Sequence, residues 1–257
     1  MSPILGLVLI LGLVAIFPYL IVRSAMFNAR NSSWANVRFN FDGSYGQAAK
    51  VYLLYPILCA LTLYTTFPFL IRAMQRFGIN NHMLGNSRFH FDSTIGPFYR
   101  AWLIAMAFIL FGGVVFALTA APVLSNPVPD PATMTSIAVG YFALIAAFVI
   151  GGILFQALIR NHIYNHTTLG EMAHAMRSSI LPARYIWIAV SNAVVTIITA
   201  GLMLPWAQVR MAKYLADHTG IVPNGTLDDF TGEILAGGSA IGDAYSDIEG
   251  VDLGLAI

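Results

Sequence analysis

Charge is what this chain lacks most. Only 10% of its 257 residues are Asp, Glu, Lys or Arg, whereas a soluble domain carries about 25%. Cysteine is nearly absent as well. The single Cys59 excludes an internal disulfide and any cysteine-cluster metal site, and within an apolar run it reads as a small core residue. The sequence holds no Walker loop, no Gly-x-Ser-x-Gly and no His-Glu-x-x-His, which excludes the commonest phosphate cradle, nucleophile elbow and zinc-peptidase helix. No Asp or Glu lies within the apolar cores, so an obvious proton relay is missing. Lys and Arg are absent between Arg100 and Arg160, and again after Lys213.

What remains is apolar. Hydrophobic residues make up 58% of the chain and the mean hydropathy is +0.72. Five stretches, 3–22, 51–71, 101–122, 134–159 and 185–206, have the length of membrane spans, since about 20 apolar residues cross about 30 Å of hydrocarbon. In lipid every backbone amide must find its partner within the segment, so helix is the expected form. The expected class is an all-α integral membrane protein with about five apolar helices. The flank "MSP" lacks the positive charge of a signal peptide and the run behind it is longer than usual, so the first span reads as an uncleaved anchor.

The few charges are sorted. Before Asp217 there are four acids, Asp42, Asp92, Asp130 and Glu171, against all 13 Lys and Arg, an excess of nine positive charges. The other eight acids lie in 217–257. Two regions follow: a basic membrane domain over 1–216, built of degenerate repeats, and an acidic, mostly irregular tail over 217–257. Asp228 and Asp229 lack the spacing of a Ca²⁺ loop and read as solvated. The closing "VDLGLAI" adds apolar anchors, so 243–257 is expected to lie against the basic caps or a partner's basic surface.

One phrase occurs twice. "RFNFDG" (38–43) returns as "RFHFDS" (88–93). Its period of two suits a short strand with both phenylalanines on one face, and Asp followed by Gly or Ser ends a strand. "NHMLG" (81–85) is echoed by "NHTTLG" (165–170), and "PFLIRAMQRF" (68–77) by "PWAQVRMAKY" (205–214). The repeating unit is a loop with a short strand, an apolar helix, a proline break and a basic aromatic segment. Such caps would sit at the headgroups, with Arg at phosphate level and aromatic rings at the interface. Expected at the membrane interface or at a partner are Trp34, Arg38, Phe39, Phe41, Asp42, Arg88, Phe89, Phe91, Asp92, Pro205, Trp206, Arg210 and Tyr214. The caps could pair into a small juxtamembrane sheet, because a lone strand leaves its edges unpaired. The third cap, "AHAMRSS" (173–179), has lost the Phe-x-Phe, and with it the signal that marks the strand in the other two.

The Phe-x-Phe cap, the Asn-bearing loop and the Pro-Trp-Ala-x-x-Arg-x-x-x-Tyr segment resemble the bacterial YjgN-type inner-membrane proteins, a family catalogued as a domain of unknown function. The resemblance covers most of 18–216 and reaches "GDAYSDIEGVDLGL" (242–255). It implies an inner-membrane location and brings no catalytic residues with it.

Topology leaves two alternatives. The positive-inside rule places 123–133, which has no Lys or Arg, in the periplasm and the tail in the cytoplasm. Yet 23–50 holds Arg23, Arg30, Arg38 and Lys50, and a single crossing by 51–71 would carry it outside. Either 51–71 and 185–206 are broken or re-entrant, near Pro56, Pro68, Gly201 and Pro205, or five plain crossings carry a weak bias. His82, His90, His162, His166 and His174 could line a metal or proton site with their neighbouring asparagines, but the repeat alone accounts for their spacing, and no metal or cofactor is expected. The expected function is that of a non-enzymatic accessory or scaffold subunit. A small-solute transporter or channel is the alternative, and a lipid-modifying enzyme a second. The expected partners are the lipid bilayer and other membrane protein subunits or further copies of the chain, not nucleic acid.

Overall fold

The computed structural model describes residues 3–34, 37–124, 130–171, 173–226 and 232. Helix α1 (Pro3–Arg30) leads into strands β1 (Ser33–Trp34) and β2 (Val37–Phe41). Helix α2 (Tyr45–Ala49), a π-helical segment (Lys50–Leu54) and α3 (Tyr55–Leu61) then run on without interruption, and α4 (Phe67–Asn80) follows after a turn. Strands β3 (His82–Leu84) and β4 (Ser87–Phe91) come next, then α5 (Gly96–Ala120), a short 3₁₀ turn (Ala121–Leu124) and α6 (Pro131–Asn165). Strands β5 (Thr167–Leu169) and β6 (His174–Ser178), helices α7 (Pro182–Ile198) and α8 (Leu204–Asp217), and strand β7 (Thr219–Val222) complete the order.

Proline opens most of these helices. It stands in the first two positions of α3, α4, α5, α7 and α8. There its missing N–H is one that the first turn leaves unpaired in any case. Pro56 follows the π-helical segment, in which the Tyr55 N–H reaches the Lys50 carbonyl. The helix therefore widens before the proline instead of ending there. Helix α6 is capped by Asp130, whose Oδ1 accepts from the Thr133 N–H at 2.9 Å. A hydrogen bond with the Thr133 side chain, and then this backbone contact, hold the Asp130 carboxyl below the usual carboxylate range.

The all-α expectation is overturned. The seven strands form one antiparallel sheet in the order β1-β2-β3-β4-β5-β6-β7. The physical reason is that a two- to five-residue strand cannot satisfy its own backbone. The cap strands are therefore not local ornaments of a helical bundle but rungs of a common sheet, and β6 forms there without its phenylalanines. The count of five apolar helices is corrected too. Among the described residues three segments, Gly12–Arg30, Gly96–Val123 and Pro131–Asn165, are long and apolar enough to cross a membrane. The stretches 51–71 and 185–206 are each interrupted by a turn, at 62–66 and 199–203.

The two turns are built alike. In the first, Leu63 and Tyr64 take φ of 50° and 62°; in the second, Ala200 and Gly201 take 48° and 89°. The Tyr64 N–H bonds the Cys59 carbonyl, and the Gly201 N–H bonds the Thr196 carbonyl, both at 2.8 Å. Such contacts from beyond the helix end satisfy carbonyls that the last turn leaves over.

Contacts divide the chain into two units. One comprises 1–93, 166–176 and 221–257; the other comprises 94–165 and 177–220. In the first, Val22, Ala29, Phe41, Ala48, Val51 and Phe77 form one core, and Val37, Leu84 and Leu169 form another on the sheet. In the second, α5 and α6 pack closely through small residues, and Ile180, Ile188 and Tyr214 form a core under α7 and α8. Of the acidic tail, 217–226 finish α8 and make β7. The expected docking of 243–257, and Asp228 and Asp229, lie outside the described residues.

Candidate functional site

The repeated phrase has one structural meaning. Strand β2 pairs with β3 in the register Phe39↔Leu84, Phe41↔His82. Strand β4 pairs with β5 in the matching register Phe89↔Leu169, Phe91↔Thr167. The Gly85 N–H bonds the Arg38 carbonyl, and the Gly170 N–H bonds the Arg88 carbonyl, each at 3.1 Å. Both glycines have positive φ, 56° and 73°, which a side chain would resist. So an Arg-Phe-x-Phe strand receives the Leu-Gly strand that follows it in the chain. Its last contact also recurs. Asp42, Asp92 and Ser179 donate their N–H groups to the carbonyls of Asn81, His166 and His218 at 2.8, 3.3 and 2.9 Å.

The cap side chains sort by face. Phe41 and Phe91 are buried, Phe41 edge-on against Phe77 and His82. Phe39 and Phe89 are half-buried and stack on one another at 6.4 Å. Arg38, Arg88, Asp42 and Asp92 face outward. Arg88 reaches Asp42 at 3.1 Å and so links the two copies of the phrase, and Arg76 lies 3.8 Å from Asp92. Both pairs are exposed, so each is worth about 0–1 kcal/mol. Trp34 is exposed on β1. Pro205 and Trp206 open α8, Trp206 lies under the Arg210 guanidinium, and Tyr214 is buried with its hydroxyl bonded by the Leu181 N–H.

The spacing of residues did not disclose the asparagines' work. Asn80 takes the Phe91 N–H at 2.7 Å and returns a longer bond to its carbonyl. Asn165 does the same for Ser178, at 2.8 and 3.1 Å. Asn161 does it for Ile180, at 3.0 and 2.6 Å, and also accepts from the Ser178 hydroxyl. Each amide stands in for a missing strand neighbour by presenting one donor and one acceptor. Asparagines at helix ends opposite a strand end were the available signal.

In each unit a basic cleft lies beside the interrupted hairpin. In the first unit a cleft of about 480 Å³ is lined by Arg72, Arg76 and Arg88 with Tyr55, Phe69 and Asn80 among others. In the second unit a cleft of about 440 Å³ is lined by Arg184, Arg210 and Lys213 with Ile188, Tyr214 and Asp217. Arg72 donates its Nε to the Ser93 carbonyl at 2.8 Å. Arg210 is held by Ser191 and Asn192 at 2.7 and 2.9 Å. Of the expected residues, the structure brings Arg88 to the first cleft and Arg210 and Tyr214 to the second. The rest line neither of these two clefts.

The histidines serve the fold. His82 bonds the Gly78 carbonyl, His162 lies edge-on to Phe98, buried His174 accepts from the Asn224 N–H, and His218 bonds the Tyr214 carbonyl. Among the described residues no three His, Cys, Asp or Glu are grouped to hold a metal ion.

A family model described as "Bacterial protein of unknown function (DUF898)" matches residues 1–248. No curated protein and no solved structure matches the chain.

Proposed function

The chain belongs to that bacterial family of unknown function, and from this premise we propose that it is a YjgN-like inner-membrane protein that acts as a non-enzymatic accessory or scaffold subunit. One observation carries the reading. Helical excursions leave the sheet and rejoin it at the neighbouring strand, as β2 does with β3 across 42–81 and β4 with β5 across 92–166. An excursion whose ends are hydrogen-bonded to each other cannot cross a bilayer an odd number of times. The interrupted hairpins therefore re-enter, and α5 and α6 cross as a pair. With α1 this makes three crossings and leaves every strand on one side.

That side collects the positive charge, which makes it cytoplasmic by the positive-inside rule and puts the link between α5 and α6 on the periplasmic side. The hairpin turns carry some of the most exposed apolar residues, Leu61, Leu63, Ile197, Ile198 and Leu202, as a lipid-facing tip requires. The cytoplasmic sheet then presents degenerate copies of one unit as a platform for another membrane subunit or a second copy, while its helices are anchored in lipid.

Interrupted helices also occur in transporters, which favours the solute-transport alternative. Against it, the seam of α5 and α6 is closed by Gly112, Gly140 and Gly151, each against the facing helix. The test is purification in mild detergent without crosslinking. A partner that co-migrates in fixed stoichiometry is the expected result. A chain that purifies alone and conducts a solute in proteoliposomes would overturn the scaffold reading.

A further inference from the structure

We infer that the basic cleft of the first unit is a seat for the phosphate-bearing headgroup of an anionic lipid. The cleft of about 480 Å³ falls in the range of small-ligand sites, about 300–1,000 Å³. Its lining is graded along α4. Phe69, nearest the hairpin turn, meets Tyr55 edge-on at 5.2 Å. One turn further on stands Arg72, then Arg76, and at the helix end Asn80 and Asn81, and Gln47 also lines the cleft. From Phe69 to Arg76 the helix rises about 10 Å. The cleft therefore runs from an aromatic wall through cations to amides, the order in which a lipid runs from acyl chain through phosphate to its polar head.

The cations are available. Among the described residues, Arg76 and Arg88 have the exposed Asp92 and Asp42 as their acid partners. Arg72 is aimed by its Nε bond to Ser93, and its terminal nitrogens meet no carboxylate among the described residues. A guanidinium held in this way offers a phosphate two parallel donors.

A second observation supports the first. The cleft of the other unit uses the same places on its own hairpin: Val51 corresponds to Ile188, Arg76 to Lys213, Phe77 to Tyr214, Asn80 to Asp217 and Asn81 to His218. Apart from Arg76 and Lys213, its cations come from other positions, Arg184 and Arg210, where the first hairpin has Gln47 and Ala73. Positive charge is retained although the residues that supply it have changed, which marks the charge as the property in use.

Phosphate could come from a lipid or from solution, and the aromatic wall commits the site to lipid. This inference rests on the membrane reading, which extraction of membranes at alkaline pH tests separately; it does not rest on the scaffold reading, because binding is measured on the purified chain without a partner. The experiment reconstitutes the protein into phosphatidylcholine bilayers and measures the relative association of spin-labelled phosphatidylglycerol and phosphatidylcholine. Wild type should prefer phosphatidylglycerol. The double variant R72Q/R76Q should lower that preference about tenfold, the loss of one to two charge-assisted contacts. R100Q/R177Q, which removes the same charge from exposed arginines outside the cleft, should leave it unchanged. Inorganic phosphate at millimolar concentration should not compete. Equal loss in both double variants, an unchanged R72Q/R76Q, or full competition by inorganic phosphate would each overturn the proposal. If R72Q/R76Q melts early, R76Q is read in its place, since Arg76 is exposed and lies 3.8 Å from the exposed Asp92, and an unchanged preference there overturns the proposal as well.

Discussion

At the scale of single residues, the side-chain amides matter more than the charges. Asn161 engages three groups within 3.0 Å: the Ile180 N–H, the Ile180 carbonyl and the Ser178 hydroxyl. The exposed ion pairs at Arg88 and Arg76 hold their partners in high dielectric. A net hydrogen bond contributes about 1 kcal/mol, and more is lost when a part-buried group is left unpaired. N161A should therefore destabilise the protein by about 2–3 kcal/mol. N161D keeps the acceptor but loses the donor to Ile180, and should fall in between. The control is N86A, in the exposed turn between β3 and β4, with an effect within about 0.5 kcal/mol. Thermal melts in detergent rank the three. If N161A melts with N86A, the amide brackets are incidental to the fold.

At the scale of elements, the clearest case is the pairing of α5 with α6. Two Gly-Gly pairs occur in these helices, and the structure divides each pair by role. A Cβ at Gly112 would meet the Ala147 Cβ at 2.5 Å and the Leu144 Cα at 3.2 Å, whereas at Gly113 it would meet nothing within 4 Å. A Cβ at Gly151 would stand 3.0 Å from the Ala105 carbonyl oxygen, and Gly152 is open. Between membrane helices, close backbone approach through small residues is a main source of association. G112V and G151V should each weaken the pair by about 1–3 kcal/mol through overpacking. G113A and G152A should be neutral or slightly stabilising, because alanine is the better helix former. Unfolding in increasing SDS measures this, and equal effects at the two members of a pair would sink it. The sequence displayed these helices through length and hydropathy alone, but it did not say which glycine of a pair faces inward. The strands were legible where Phe alternates with polar residues, in β2 and β4. They were not in β6, where Ala175 and Met176 break the alternation and the strand is imposed by its neighbour Leu169 at His174. The all-α reading failed for the same reason: two- to five-residue strands leave little pattern, and the pairing that stabilises them lies far away in sequence. The clefts were invisible for a related reason, since Arg72 and Arg88 meet only once β4 has packed beside α4.

At the scale of the whole molecule, the question the sequence left open was how many times the chain crosses. Charge alone could not decide it, because a single crossing by 51–71 and a re-entrant hairpin leave the same apolar run. The pairing of β2 with β3 is what supports the re-entrant hairpin proposed above. Phe41 and His82 are partners in the ladder, so the chain returns to its starting level before residue 82. Three crossings place Asn31 and Asn86 on one side and Ala132 on the other; five plain crossings would separate Asn31 from Asn86. All three positions are exposed, so a cysteine placed there reports on water access without disturbing a core. Cys59 is buried and can be changed to alanine to clear the background. N31C, N86C and A132C are then probed in intact cells with a membrane-impermeant maleimide, and again after permeabilisation. The expected result is labelling of A132C from outside, with N31C and N86C both silent until the inner membrane is opened. If N31C reacts from outside while N86C stays silent, the 51–71 stretch crosses fully, the hairpin does not re-enter, and the pairing of β2 with β3 cannot exist in the membrane. If N31C and N86C both react from outside and A132C does not, the three crossings stand but the sheet faces the periplasm, against the positive-inside rule. The labels thus test the number of crossings and their orientation separately. Only orientation depends on where the arginines lie; the number rests on the hydrogen-bonded sheet.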